Sequence, residues 1–95
     1  MPAYLVEAYV PRTAAGGVQD VAARAAAAAE WMAGVTLIST LFLPEDETCF
    51  LLYEATSAEL VSEAGTRARI PWQRAQEAII TMPSRSKPEQ SRDRS

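Results

Sequence analysis

Apolar positions are densest in residues 34–55, GVTLISTLFLPEDETCFLLYEA, where two runs rich in β-branched and aromatic side chains flank a polar turn at residues 44–48. Runs this short, split by a compact turn, predict a β-hairpin. On its first strand Val35, Leu37, Leu41 and Leu43 alternate with Ile38 and Phe42, and on the second Phe50 and Leu52 alternate with Cys49, Leu51 and Tyr53. A half-exposed strand shows polar residues on one face, so a hairpin apolar on both faces is expected at the centre of a sheet. Helices would cover one side, with a second copy of the sheet as a candidate cover for the other.

The rest of the chain supplies those helices and two further strands. Residues 4–10 alternate Tyr4, Val6, Ala8 and Val10 with Leu5, Glu7 and Tyr9, a strand pattern that Pro11 ends. Residues 12–17 form a loop with a Gly16-Gly17 breaker. The alanine-rich residues 18–32 then predict a helix whose buried stripe is Val18, Val21, Ala22, Ala25, Ala28, Ala29 and Met32, stopped near Gly34. Ser57 reads as the N-cap of a second helix, with Glu59 in its first turn and Leu60, Val61 and Ala64 buried, ended by Ile70-Pro71. Residues 75–82 alternate once more and predict a last strand, although the run RAQEAI also suits a helix.

Strand, helix, strand, strand, helix, strand is the order of the α+β ferredoxin-like fold, a four-stranded antiparallel sheet with both helices on one face. The predicted organisation is one domain, residues 1–82, and a disordered tail, residues 83–95, which carries no large apolar residue. The bare sheet face of a monomer would leave apolar side chains wet, so two sheets packed face to face as a dimeric α+β barrel are expected. With only 95 residues, a monomer has a modest core, which adds weight to a homodimer.

Charge and composition narrow the partners. A net charge of -3 and a pI near 4.9 argue against binding to nucleic acid or to an anionic membrane surface. Residues 1–10 lack the features of a signal peptide, and no run of about 18 apolar residues suggests a membrane span. One cysteine, Cys49, excludes an internal disulfide framework, and a reducing, cytoplasmic setting is the expectation.

Several short stretches carry a family resemblance: YLVE at residues 4–7, GVT at 34–36, YEA at 53–55 before the Ser57 helix, and Pro71 with Arg74 and Glu77. Together they resemble the small actinobacterial nickel-binding, ferredoxin-like proteins and their relatives of unknown function, over roughly residues 3–80. The resemblance implies a ferredoxin-like fold, a dimer and nickel binding without a known reaction. It also implies that Ser39 stands where nickel-binding relatives carry a histidine, and that Leu37 and Leu41 replace aromatic residues. The chain has no histidine. Nickel favours imidazole and thiolate, whereas carboxylates alone suit magnesium, calcium or manganese, so nickel is an expectation of the resemblance alone.

The chemistry-bearing residues are few. Strand alternation places Glu7 and Glu77 opposite the helix-facing Val6, Ala8, Ala78 and Ile80, hence together on the open face. There they either hold a divalent cation, share a proton, or pair with Arg74 or Gln76. Tyr9 and Tyr53 either offer hydroxyls to a ligand or serve as core residues whose hydroxyls reach the surface. The expected ligand-facing set is Glu7, Tyr9, Ser39, Tyr53 and Glu77, with Glu7 and Glu77 the metal candidates. Cys49, with no histidine to activate it, reads as a buried inert thiol. Glu45, Asp46 and Glu47 read as a solvated hairpin tip, and Trp31 and Trp72 as caps of the helix-to-sheet core. A non-catalytic module that binds a metal or small apolar ligand fits this inventory. A cofactor-free monooxygenase or isomerase is the alternative by fold analogy, and a purely structural partner module is the third.

Overall fold

The alternating run near the start of the chain forms β1 (Ala3–Tyr9), and the alanine-rich segment forms α1 (Gly17–Glu30). The hairpin follows as β2 (Val35–Leu43) and β3 (Thr48–Ala55), then α2 (Ala58–Arg67) and β4 (Trp72–Ala78). This computed structural model describes residues 1–13 and 16–81. The predicted tail, residues 83–95, and Met82 lie outside the described residues. The sheet is antiparallel throughout, in the order β2-β3-β1-β4, and with two helices it makes a ferredoxin-like α+β arrangement. No helix among the described residues is long and apolar enough to cross a membrane.

Each element has a local cause. In α2 the Ser57 hydroxyl accepts the amide hydrogen of Leu60 at 3.3 Å, the predicted N-cap. In α1 the stripe that becomes buried is Val21, Ala25 and Ala29, small residues that let the helix lie close on the sheet. Gly34 turns the chain between α1 and β2 at φ 84°, a conformation that side chains with a Cβ disfavour. A Cβ there would also stand 3.1 Å from the Thr56 hydroxyl and 3.2 Å from Leu60. Between the layers Val6, Ala8, Cys49, Leu51, Tyr53, Val61 and Ala64 are fully buried and form the core.

Three expectations need correction. The hairpin is not wholly central, because β3 is interior while β2 is an edge strand. The last strand starts three residues earlier than predicted and ends at Ala78, leaving Ile79 and Ile80 beyond it, both exposed. The cause is how α2 ends: Arg69 takes a left-handed φ of 59°, Ile70 N–H donates to the Gly65 carbonyl at 3.1 Å, and Pro71 then sets the chain extended. Trp31 does not cap the core, since it is 84% exposed at the C-terminus of α1. Trp72 does fill that role, packing its indole onto Gly65.

That contact makes Gly65 testable. A Cβ at residue 65 would lie 2.9 Å from Trp72 Cδ1 and 3.1 Å from its Nε1. Gly65→Ala gains about 1 kcal/mol of helix propensity, while overpacking against a rigid ring costs about 1–3 kcal/mol. The expected result is a net loss of about 1 kcal/mol, read from the urea midpoint. A gain of stability would show that Trp72 moves aside freely.

Candidate functional site

Directly opposed residues of an antiparallel sheet share a face, so the strand registers define which side chains meet. Leu41, Phe50, Glu7 and Arg74 form one row across β2, β3, β1 and β4. Ser39, Leu52, Leu5 and Gln76 form the next, flanked by Leu43, Thr48 and Tyr9 at one end and Thr36, Glu54, Ala3 and Ala78 at the other. These rows are the face away from the helices. Its β2–β3 half carries the large apolar side chains Leu41, Leu43, Phe50 and Leu52, while its β4 side carries Arg74 and Gln76. Leu5, Ser39, Leu41, Phe50 and Leu52 line a depression of about 320 Å³ there.

The helix-facing side carries Val35, Leu37, Thr40 and Phe42 of β2 against Ala55, Tyr53, Leu51 and Cys49. The four alternating residues of the first hairpin strand are therefore split: Val35 and Leu37 face the helices, Leu41 and Leu43 the open side. A bulge between Leu37 and Ser39, with Ile38 outside the register, reverses the parity of the strand.

The two carboxylates predicted to meet do not. Glu7 opposes Arg74 on the open face, whereas Glu77 opposes Tyr4 and so belongs to the helix side. The alternation within β4 is as read, but a one-residue difference in pairing register exchanges its faces. Glu7 is instead paired with Arg74, Oε1 to Nε 3.2 Å, one of the arrangements the residues left open. Among the described residues no group of three or more His, Cys, Asp or Glu side chains is placed to hold a metal ion. Among the described residues the donors therefore do not fit a site for nickel, which favours imidazole and thiolate.

Tyr9 lies on the open face but its hydroxyl is committed, donating to Glu47 Oε1 at 2.9 Å. The other carboxylate oxygen, Oε2, accepts the Arg12 amide hydrogen at 2.9 Å, and the Glu47 carbonyl accepts that of Val10 at 2.8 Å. Glu47, at φ 51°, thus fastens the hairpin tip to the end of β1 and is not a merely solvated acid. Its tertiary partners gave no signal in the sequence. The Arg12 amide bond, helped by the Tyr9 bond, holds the Glu47 carboxyl below the usual carboxylate range, and the same carboxylate pushes the Tyr9 phenol up. Because the folded value is the lower one, this contribution to stability is full above the ordinary pKa of 4.5 and fades as pH falls through the lowered value. Glu47→Gln is expected to flatten that acid dependence in pH-dependent melting; an unchanged profile would rule out the fastening.

Tyr53 is placed away from the open face. It is fully buried on the helix side, its hydroxyl has no hydrogen-bond partner among the described residues, and burial followed by the nearby Cys49 pushes its pKa up to about 12. Cys49 is buried as expected, and burial raises its thiol, which makes a reactive thiolate scarce. Of the five expected ligand-facing residues, Glu7, Tyr9 and Ser39 share the open face and Tyr53 and Glu77 do not. Leu5, Leu41, Phe50, Leu52 and Arg74 lie beside them on that face; their signal was the alternation itself, once the register is known.

A sequence model of the family described as a domain of unknown function (DUF3303) matches residues 3–78. No curated protein and no solved structure matches the chain.

Proposed function

Given that the chain belongs to the DUF3303 family over residues 3–78, we propose that it is a non-catalytic binding module that takes a small apolar organic ligand against its open sheet face and closes over it by forming a homodimer. The observation that carries this reading is the apolar depression of about 320 Å³ lined by Leu5, Ser39, Leu41, Phe50 and Leu52. Its size suits a small molecule, and its one hydroxyl, on Ser39, gives the ligand a polar anchor. A second copy packed on the same face would shut the depression from water and bury the exposed Leu41 and Leu43.

An organic ligand is favoured over nickel or another divalent ion because the chain has no histidine and Glu7 is engaged by Arg74. Binding is favoured over cofactor-free catalysis by the same geometry. Proton transfer needs an available acceptor beside the substrate, yet Glu7 is held by Arg74 and the Tyr9 hydroxyl by Glu47.

The test is a titration of the native protein with a hydrophobic naphthalene-sulfonate fluorophore. Saturable binding is expected, weakened about tenfold or more by Ser39→Trp, which fills the depression at an exposed position. Equal binding by both proteins would exclude this depression as the site, and no saturable binding would remove the reading.

A further inference from the structure

The helix layer carries a second unpartnered surface, on the side away from the sheet face. Trp31 projects from the end of α1, 84% exposed, although tryptophan is highly buried in most folds. Beside it Arg24, Arg67 and Arg69, over a floor of Ala27 and Ala28, surround a depression of about 320 Å³. The arginines within residues 1–81 are Arg12, Arg24, Arg67, Arg69 and Arg74, so most of them gather here, in a chain whose net charge is -3. Among the described residues none that lines the depression is acidic, and Asp20 and Glu63 at its rim pair with Arg24 and Arg67.

The three arginines are held differently. Arg24 is built in: its Nε donates to the Ala68 carbonyl at 2.8 Å, one terminal nitrogen to the Arg69 carbonyl at 3.1 Å, and the other pairs with Asp20. It thereby ties α1 to the end of α2 and fixes the floor. Arg67 pairs with Glu63 at 2.7 Å on its own helix. Arg69, exposed in a left-handed turn, forms no ion pair among the described residues.

We propose that this surface docks an acidic segment of a protein partner, with Arg69 gripping a carboxylate and Trp31 packing on a proline or apolar side chain beside it. Guanidinium forks match carboxylates in paired hydrogen bonds, and tryptophan and arginine dominate the energetics of protein interfaces. A nucleic acid is a poorer fit, because its affinity grows with the number of phosphates neutralised and two of these three arginines already have acidic partners. The surface lies on the helix layer, so it stays open whether or not the sheet face is covered, and the inference does not rest on the function proposed for that face.

The test uses a labelled short peptide of glutamates around one proline, and its glutamine counterpart, followed by anisotropy with the wild-type chain. The Trp72→Phe variant, in which Trp31 is the sole tryptophan, adds an emission readout. Saturable binding of the glutamate peptide is expected, weakened about tenfold by Trp31→Ala and by Arg69→Gln and weakened by added salt. Arg24 is left intact because it holds the fold. The proposal is overturned by an absent response, by equal binding of the glutamine peptide, by undiminished affinity in either variant, or by tighter binding to a single-stranded oligonucleotide or to anionic vesicles.

Discussion

Leu41→Glu is expected to dissociate the proposed homodimer, with its dissociation constant raised about a hundredfold or more. Leu41 is 58% exposed at the apolar end of the row Leu41-Phe50-Glu7-Arg74, on an edge strand where a carboxylate can reach water in the single chain. The substitution therefore leaves the fold of one chain nearly untouched. In a two-fold contact the same patch meets itself, so each copy contributes one new charge to the covered face. Two desolvated, unpaired carboxylates cost several kcal/mol, a large part of what a standard interface of roughly 1,600 Å² provides. Light scattering across micromolar concentrations reads the result. A wild-type chain that is already monomeric, or a variant that stays dimeric with its melting curve intact, would show that this face does not bring two copies together. Leu41→Gln separates charge from size, and it should dissociate the dimer less.

Tyr53→Phe is expected to stabilise the folded chain by about 1–3 kcal/mol, the usual cost of a buried polar group left without a partner. Tyr53 is fully buried between the layers and its hydroxyl has no hydrogen-bond partner among the described residues, while phenylalanine preserves the ring and its packing. The effect has a pH signature as well. The folded phenol titrates at about 12 and the ordinary one at 10.0. The folded state thus keeps its proton to higher pH, and stability that is whole below pH 10 declines as pH rises towards 12. Phenylalanine removes that titration, so urea denaturation at alkaline pH should show a smaller loss for the variant than for the wild type. A variant less stable than the wild type at neutral pH would mean that the hydroxyl is bonded after all.

The secondary structure was legible because its causes are local. Period-two runs at residues 4–10 and 49–55, an alanine-rich helix and the Ser57 cap state their own conformations, and their order fixes the ferredoxin-like class. The candidate site was legible only in part. Glu7, Tyr9 and Ser39 reach the open face, where Glu7 takes the Arg74 pairing that the residues left open and Tyr9 is taken by Glu47, a contact between β1 and the hairpin tip that no spacing in the chain announces.

The sequence by itself determined the types of the elements, their order, the fold class and the burial of Cys49. Alternation tells which residues of one strand share a side, and nothing more. Which side that is depends on pairing with the next strand, and a shift of one residue exchanges the two. Only the tertiary structure could decide that a bulge at Ile38 sends Leu41 outward and that the register of β4 turns Glu77 away from Glu7. The close fit of Trp72 to Gly65 and the exposure of Trp31 were likewise settled by packing between helices and sheet, where space is shared by residues distant in the chain.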